Sequence, residues 1–250
     1  MSSSSTIHPT AEVSPNASLG AGTRVWHYAQ IRERVRIGSS CSLGKGVYID
    51  FDVVIGDSCK LQNGVFVYHG STLEDGVFLG PGVMLLNDKS PRAINLDGSV
   101  KNDSDWEVSP VHVRYGASIG GGAIISPGVT VGRWASVGSG SVVTRSVPDY
   151  GLAYGNPARL AGYVCPCGQR LHVAHDSKHV LETNCPRCSW TVPEDLRGIG
   201  DSQKAGAGSA GAGSAGAGNA EFPGNRLLRW GPLPKTPSLP APSSSTTAGR

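Results

Sequence analysis

The sequence predicts an all-β fold, a parallel β-helix of hexapeptide repeats with a protruding loop and a small cysteine-rich appendage. Three observations lead to this prediction. Aliphatic residues recur at every sixth position over long stretches. Glycine and proline are abundant, 35 and 17 of 250 residues, and only 16% of residues are charged, which disfavours helix-rich and coiled-coil proteins. Four cysteines form two close pairs after residue 164.

The six-residue period is unbroken in two runs of aliphatic residues. The first run is Val13, Leu19, Val25, Ile31, Ile37, Leu43, Ile49, Ile55, Leu61, Val67, Leu73, Leu79 and Leu85. The second run is Val113, Ile119, Ile125, Val131, Val137 and Val143. Small or β-branched residues hold the fifth position of the hexads, and glycine often follows the aliphatic residue, where a corner needs positive φ or close backbone approach. The pattern predicts short strands joined by tight corners.

Three hexads make one coil of such a helix, so the two runs predict about six coils, stacked ~4.8 Å apart. Cys41 and Cys59 are eighteen residues apart, so they are expected at the same inner corner of adjacent coils. Their spacing permits a disulfide, although a pair of buried, reduced thiols is favoured in a cytosolic protein.

A long loop interrupts the repeat between the two runs. The 28 positions from Leu85 to Val113 are not a multiple of six, and residues 86–112 are rich in Asn, Asp, Ser, Pro and Gly without a β period. Long loops in compact repeat proteins are usually functional. We therefore expect the loop at residues 86–112 to form part of the functional site.

The cysteines after the last repeat form a CxC and a CxxC pair. Cys165, Cys167, Cys185 and Cys188 predict a zinc-ribbon-like module over residues 165–194, since four thiolates at this spacing can surround one zinc ion. His172, His175 and His179 are possible substitute ligands, and a redox site or a metal-free remnant is the alternative. Residues 198–250, an Ala/Gly/Ser repeat followed by a Pro/Ser/Thr-rich stretch, predict a disordered tail.

Charge and hydropathy exclude several function classes. The net charge of +3 is too small, and the cations too scattered, to predict a nucleic-acid interface. No apolar run approaches the roughly 18 residues of a membrane span, and the serine-rich start lacks the features of a signal peptide. We expect a soluble cytoplasmic protein.

Several features together resemble the left-handed β-helix acyltransferases. They are the hexads, Asn87 with the Ser90-Pro91-Arg92 sequence, residues 73–78, and residues 147–150 followed by Gly-Asn-Pro-Ala-Arg at 155–159. Within that superfamily, residues 7–164 most resemble bacterial nucleotide-sugar N-acetyltransferases that acetylate the 3-amino group of UDP-2-acetamido-3-amino-2,3-dideoxy-glucuronate for surface polysaccharide.

The resemblance implies a homotrimer with acetyl-CoA in the groove between neighbouring subunits. Asn87 would orient a reactant, and Arg92 would bind the uronate carboxylate. His69 can accept the amine proton, although the family more often has Asp or Glu there. Tyr68 and Glu74 are candidate substrate-binding residues. Arg145, Asn156 and Arg159 are candidates for binding the cofactor.

Three other functions are alternatives for such a β-helix, and the sequence disfavours the third. One is O-acetylation of a sugar or another hydroxyl acceptor. A second is a non-catalytic binding or scaffold protein, although Asn87, Arg92 and the 155–159 motif favour an enzyme. The third, a carbonic-anhydrase-like metal site, needs three converging histidines, whereas His27 and His69 are expected on different parts of the coil.

Overall fold

The structure, a computed structural model, describes residues 4–172, 180–181 and 183–196. The predicted disordered tail, together with His175 and His179, lies outside these residues. Within them the chain is all-β apart from one turn of 3-10 helix at Glu194–Leu196. The predicted parallel β-helix is confirmed.

The strands β1–β20 have two residues each and form three faces of a prism. Face A consists of β1 (Thr6–Ile7), β4 (Arg24–Val25), β7 (Ser42–Leu43), β10 (Lys60–Leu61), β13 (Phe78–Leu79), β16 (Ser118–Ile119), β19 (Ser136–Val137) and the longer β21 (Gly151–Gly155). Face B consists of β2 (Glu12–Val13), β5 (Gln30–Ile31), β8 (Tyr48–Ile49), β11 (Phe66–Val67), β14 (Met84–Leu85), β17 (Ile124–Ile125) and β20 (Val142–Val143). Face C consists of β3 (Ser18–Leu19), β6 (Arg36–Ile37), β9 (Val54–Ile55), β12 (Thr72–Leu73), β15 (His112–Val113) and β18 (Thr130–Val131).

Neighbouring strands on a face are parallel and in register. Val67 pairs with Ile49 below it, and outside the loop each coil contains eighteen residues. The second residue of each strand from β4 onward points into the prism, so Leu61 is 1% exposed while the adjacent Lys60 lies at the surface. The fifth-position residues fill the inner corners. Cys41 and Cys59 are both fully buried free thiols on adjacent coils, as the eighteen-residue spacing predicts.

The corners require glycine for two different reasons, close backbone approach and positive φ. The glycines directly after the inward aliphatic residue are needed for close backbone approach. A Cβ on Gly80 would lie only 2.5 Å from the backbone nitrogen of Gly121. Positive φ is instead required two positions later, as at Gly46, where φ is 65°. The two functions that the sequence assigns to one glycine position are therefore divided between two positions.

The prism has more coils than the sequence predicts. Ile7 adds a hexad before Val13, and β21 continues face A after the last regular hexad, so face A has eight parallel strands. The estimate of about six coils was too low because the count began at Val13 and ended at Val143. The loop is also slightly shorter than predicted, since Val111 is a buried corner residue and His112 begins β15.

After β21 the chain reverses and leaves the prism. Strand β22 (Ala158–Val164) pairs with β21 in antiparallel fashion, and β23 (Arg170–Leu171) pairs with β22. A second, smaller apolar cluster follows, in which Tyr163, Leu171 and Val192 are buried with Cys165 and Cys185. Tyr150 and Trp190 pack together beside it. No helix among the described residues has the length and apolar character needed to cross a membrane.

Candidate active site

The candidate site follows one edge of the prism, where the chain turns from face B to face C. We call this the B–C edge. Its corner segments are residues 14–16, 32–34, 50–52, 68–70, 86–87, 126–128 and 144–146. The second residue after each face-B strand forms a vertical column consisting of Pro15, Glu33, Phe51, His69, Asn87, Pro127 and Arg145. Coil stacking thus places two predicted catalytic residues and one predicted cofactor-binding residue on the same edge.

His69 is half-buried and held on two sides. Its ring stacks on Phe51, with 4.0 Å between ring centroids and 20° between planes. Its Nδ1 lies 3.0 Å from the carbonyl oxygen of Phe51. Because a carbonyl oxygen only accepts hydrogen bonds, Nδ1 must carry the hydrogen, and Nε2 of the neutral ring is left as an acceptor. This tautomer suits a proton-accepting group.

A buried carboxylate, Asp50, supports this corner and was not identified from the sequence. Asp50 is 7% exposed, and its Oδ1 accepts hydrogen bonds at 3.0 Å from Arg32, from the Tyr48 hydroxyl and from the backbone N–H of Phe51. Its Oδ2 accepts the backbone N–H of His69 at 3.2 Å. Burial raises the pKa of Tyr48, which keeps this phenol protonated as a donor. Asp50 therefore fixes the backbone on both sides of the stacked Phe51 and His69 rings.

Asn87 joins the loop to the coil below. Its side-chain Nδ2 donates a hydrogen bond to the carbonyl oxygen of His69 at 3.2 Å. Its own carbonyl oxygen accepts the N–H of Ser109 at 2.8 Å, which closes the base of the loop. Within the described part of the chain, Oδ1 of Asn87 has no hydrogen-bond partner, so it can accept one from a substrate. The structure thus brings together the two residues predicted to be catalytic.

The predicted substrate-binding residues lie in three places. Tyr68 precedes His69 and is half-buried, with its ring centroid 5.8 Å from that of Tyr48. Arg92 is exposed on the loop, where its Nη1 donates to the carbonyl oxygen of Pro91 at 2.8 Å.

Glu74 lies at a different edge, where face C turns to face A. Its Oε2 accepts the backbone N–H of Tyr115 at 2.8 Å, and its Oε1 lies 3.7 Å from Arg114. Both contacts join Glu74 to the next coil of the prism. The structure therefore does not bring Glu74 to His69 and Asn87, and its part in substrate binding stays a prediction.

Two of the three predicted cofactor-binding residues line one cavity of about 350 Å³ where the chain leaves the last coil. Arg145 and Arg159 contribute the charges, and its apolar lining includes Val143, Val147, Pro148, Ala153 and Leu160. Asn156 is exposed in the turn between β21 and β22 and does not line the cavity.

The four predicted metal ligands converge beyond β22. The sulfur atoms of Cys165, Cys167, Cys185 and Cys188 all lie within 4.8 Å of one another, close enough for one tetrahedral ion. Burial opposes ionisation of Cys185, but backbone N–H groups of Arg187 and Cys188 stabilise its thiolate, and its pKa falls to about 7. The donor set fits a zinc ion. His172 is not part of this cluster in the described residues.

Parts of the chain are similar to known proteins. The family model for the hexapeptide repeat of succinyl-transferase matches residues 34–69 and 116–145. A dTDP-3-amino-3,6-dideoxy-α-D-galactopyranose 3-N-acetyltransferase of Aneurinibacillus thermoaerophilus is 59% identical over 59 residues, which are 24% of this chain and 31% of that protein. The chain thus spans about a third of the length of this curated relative.

Two solved structures give weaker matches. PerB from Caulobacter crescentus, solved with CoA and GDP-perosamine, is 29% identical and covers 64% of this chain and 58% of its own, with a TM-score of 0.35. A maltose O-acetyltransferase from Clostridium difficile is 28% identical and covers 49% of this chain and 69% of its own, with a TM-score of 0.40. TM-scores this low do not bear on the arrangement of the site.

Proposed function

We propose that this chain, a hexapeptide-repeat β-helix protein, is an acetyl-CoA-dependent N-acetyltransferase of a nucleotide-linked amino sugar. The observation that carries the proposal is the contact between Asn87 and His69 at the base of the loop, on the same edge as Arg145. The relative from Aneurinibacillus, which is named for 3-N-acetylation of a dTDP-linked 3-amino sugar, supports the reaction class. The acceptor that we propose is the 3-amino group of a UDP-linked amino uronate used for surface polysaccharide.

The reaction requires one new C–N bond and the loss of one C–S bond. The amine nitrogen attacks the thioester carbonyl, while Oδ1 of Asn87 accepts an amine hydrogen bond and orients the lone pair. Nε2 of His69 accepts the proton that the nitrogen loses. Collapse of the tetrahedral intermediate releases CoA thiolate, which takes the proton back from the imidazolium. No side-chain nucleophile is needed.

The remaining predicted residues complete the site in this proposal. Arg145 and Arg159 bind phosphates of acetyl-CoA, Asn156 contributes from the adjacent turn, and the apolar wall of the cavity holds the pantetheine arm. Arg92 binds the acidic group of the sugar. Tyr68 contacts the sugar beside His69, and Glu74 would do so from a neighbouring edge.

We also propose a homotrimer that packs through face B. The outward residues of its last five strands, β8 to β20, form a half-buried apolar stripe. They are Tyr48, Phe66, Met84, Ile124 and Val142. Such a flat stripe is suited to burial against other copies of the chain. The four-cysteine cluster holds a structural zinc ion in this proposal. Because acetyl-CoA and nucleotide sugars are cytoplasmic metabolites, we place the reaction in the cytoplasm.

The test is an assay of thiol release from acetyl-CoA with UDP- and dTDP-linked 3-amino and 4-amino sugars as acceptors. Turnover with amino sugars that depends on both substrates supports the proposal. Turnover confined to hydroxyl acceptors would identify an O-acetyltransferase instead. If the protein has no affinity for acetyl-CoA in calorimetry, the chain is a binding or scaffold protein.

A further inference from the structure

We propose that Lys89 binds the diphosphate of the nucleotide-sugar substrate, an inference that rests on the proposed function. Lys89 lies two residues after Asn87, on the outgoing side of the loop. It lines a cavity of about 330 Å³ at the base of the loop, together with Trp106 and Ser109 from the returning side. The backbone N–H of Ser109 donates to the carbonyl oxygen of Asn87, so this cavity adjoins Asn87 at the base of the loop.

The side chain of Lys89 is exposed and lies over the B–C edge. A Cβ on Gly128 would lie 3.1 Å from both Cε and Nζ of Lys89, so the lysine chain passes over the bare backbone of this glycine. Gly128 has a φ of 77°, a conformation that favours glycine. Because this corner needs glycine, no Cβ fills the space that the Lys89 side chain occupies. The ammonium group thus lies beside Gly128, on the coil above Asn87.

The cavity is also lined by Lys101 and by three carboxylates, those of Asp88, Asp105 and Glu107. Asp105 accepts hydrogen bonds from Asn95 and Asn102, and its carbonyl oxygen accepts one from Lys101. Asp88 accepts the N–H of Ser90, and Glu107 is exposed. In the described residues Lys89 has neither an ion pair nor a hydrogen bond, so its three donors remain for a ligand.

A diphosphate is the anion that this position fits best. UDP- and dTDP-linked sugars all carry one, whereas among them only the uronates carry a carboxylate, for which Arg92 is already proposed. CoA phosphates have Arg145 and Arg159 at a separate cavity. The half-buried Trp106 gives this cavity an aromatic wall against which the sugar or the base can pack.

The test measures binding of UDP and of dTDP to the full-length chain by calorimetry. Lys89→Met keeps the aliphatic chain and removes the charge, and we expect about tenfold weaker binding of both nucleotides. Lys89→Arg should restore most of the affinity. Lys60→Met, on the outward side of face A, is the matched control and should bind as the unaltered chain does.

Four results would overturn the inference. One is undiminished nucleotide affinity in Lys89→Met, and a second is no nucleotide affinity in the unaltered chain. Another is weaker binding of acetyl-CoA instead of the nucleotides. The last is an effect confined to uronate acceptors, which would assign Lys89 to the carboxylate. Nucleotide binding that depends on Lys89 without any thiol release would leave the inference standing and remove the proposed acetyl transfer.

Discussion

The side-chain amide of Asn87 donates a hydrogen bond to the backbone carbonyl oxygen of His69 across 3.2 Å. The two residues are eighteen positions apart and therefore occupy the same corner of adjacent coils. The contact attaches the first turn of the long loop to the residue that we propose as proton acceptor. It makes the position of the loop and the position of the imidazole depend on each other.

Replacing Asn87 should therefore impair turnover more than folding. We expect Asn87→Ala to lower kcat about 100-fold, the usual cost of losing one orienting group in a transition state. Asn63→Ala is the matched control, because the side chain of Asn63 also bonds the backbone of the preceding coil, its Oδ1 accepting the N–H of Lys45, but at a different edge. Steady-state kinetics with size-exclusion chromatography would test this, and equal kcat values for the two variants would refute it.

His69→Gln should lower kcat about 100-fold with little change in KM, since glutamine retains hydrogen bonding but cannot accept the amine proton. The control is His112→Gln, because His112 lies on face C, where its ring contacts Thr72. Initial rates over a range of acceptor concentrations separate kcat from KM. A His69→Gln enzyme with unaltered kcat would show that water takes the proton.

Asp50→Ala should destabilise the fold as well as the site. Removing the buried carboxylate leaves the Tyr48 hydroxyl and the N–H groups of Phe51 and His69 without their acceptor, which costs about 3 kcal/mol in the free energy of unfolding. Asp52→Ala breaks an exposed pair with Arg34 and should cost much less, because solvent screens this pair. Denaturant unfolding of the two variants gives the comparison, and similar losses would contradict the assigned burial of Asp50.

Two substitutions within strand β10 test which of its residues points into the prism. Leu61→Asp buries an unpaired carboxylate and should prevent stable folding, whereas Lys60→Asp on the outward side should change the melting temperature little. Thermal unfolding followed by circular dichroism measures both. A Leu61→Asp variant that melts with the unaltered chain would be incompatible with the hexad core.

The cysteine cluster should contain one zinc ion per chain in elemental analysis of the purified protein. Cys188→Ser should lower the zinc content, because three thiolates hold the ion less tightly than four. Acetyl transfer should persist when the chain ends after Val164. Zinc content near zero in the unaltered protein, or loss of transfer from an intact truncated trimer, would contradict a structural metal site.

Much of the fold follows from the sequence because a single rule, the inward aliphatic residue of each hexad, determines burial in every coil. Leu61 and Ile125 are buried for the same reason, and one period identifies both. The rule gives no information where the chain leaves the repeat. Strands β22 and β23 depend on antiparallel pairing with β21, which no period predicts.

The candidate site was predictable in part. The same eighteen-residue spacing that aligns Cys41 with Cys59 also aligns Phe51, His69 and Asn87, and it would have indicated their column. Asp50 could not be recognised in this way, because its importance comes from burial and from four donors that converge only in the folded chain. Glu74 is only five residues after His69 in the sequence. Strand β12 lies between them, so Glu74 is at another edge of the prism.

The most direct test of N-acetyl transfer compares two acceptors that differ at one position, a nucleotide-linked 3-amino sugar and its 3-hydroxy counterpart. Each is incubated with acetyl-CoA and the full-length chain, and the products are identified by mass spectrometry and NMR. We predict an amide at C3 of the amino sugar and no acetylated product from the hydroxy sugar. Acetylation of the hydroxy sugar at a comparable rate, or no product from either, would contradict the proposed function.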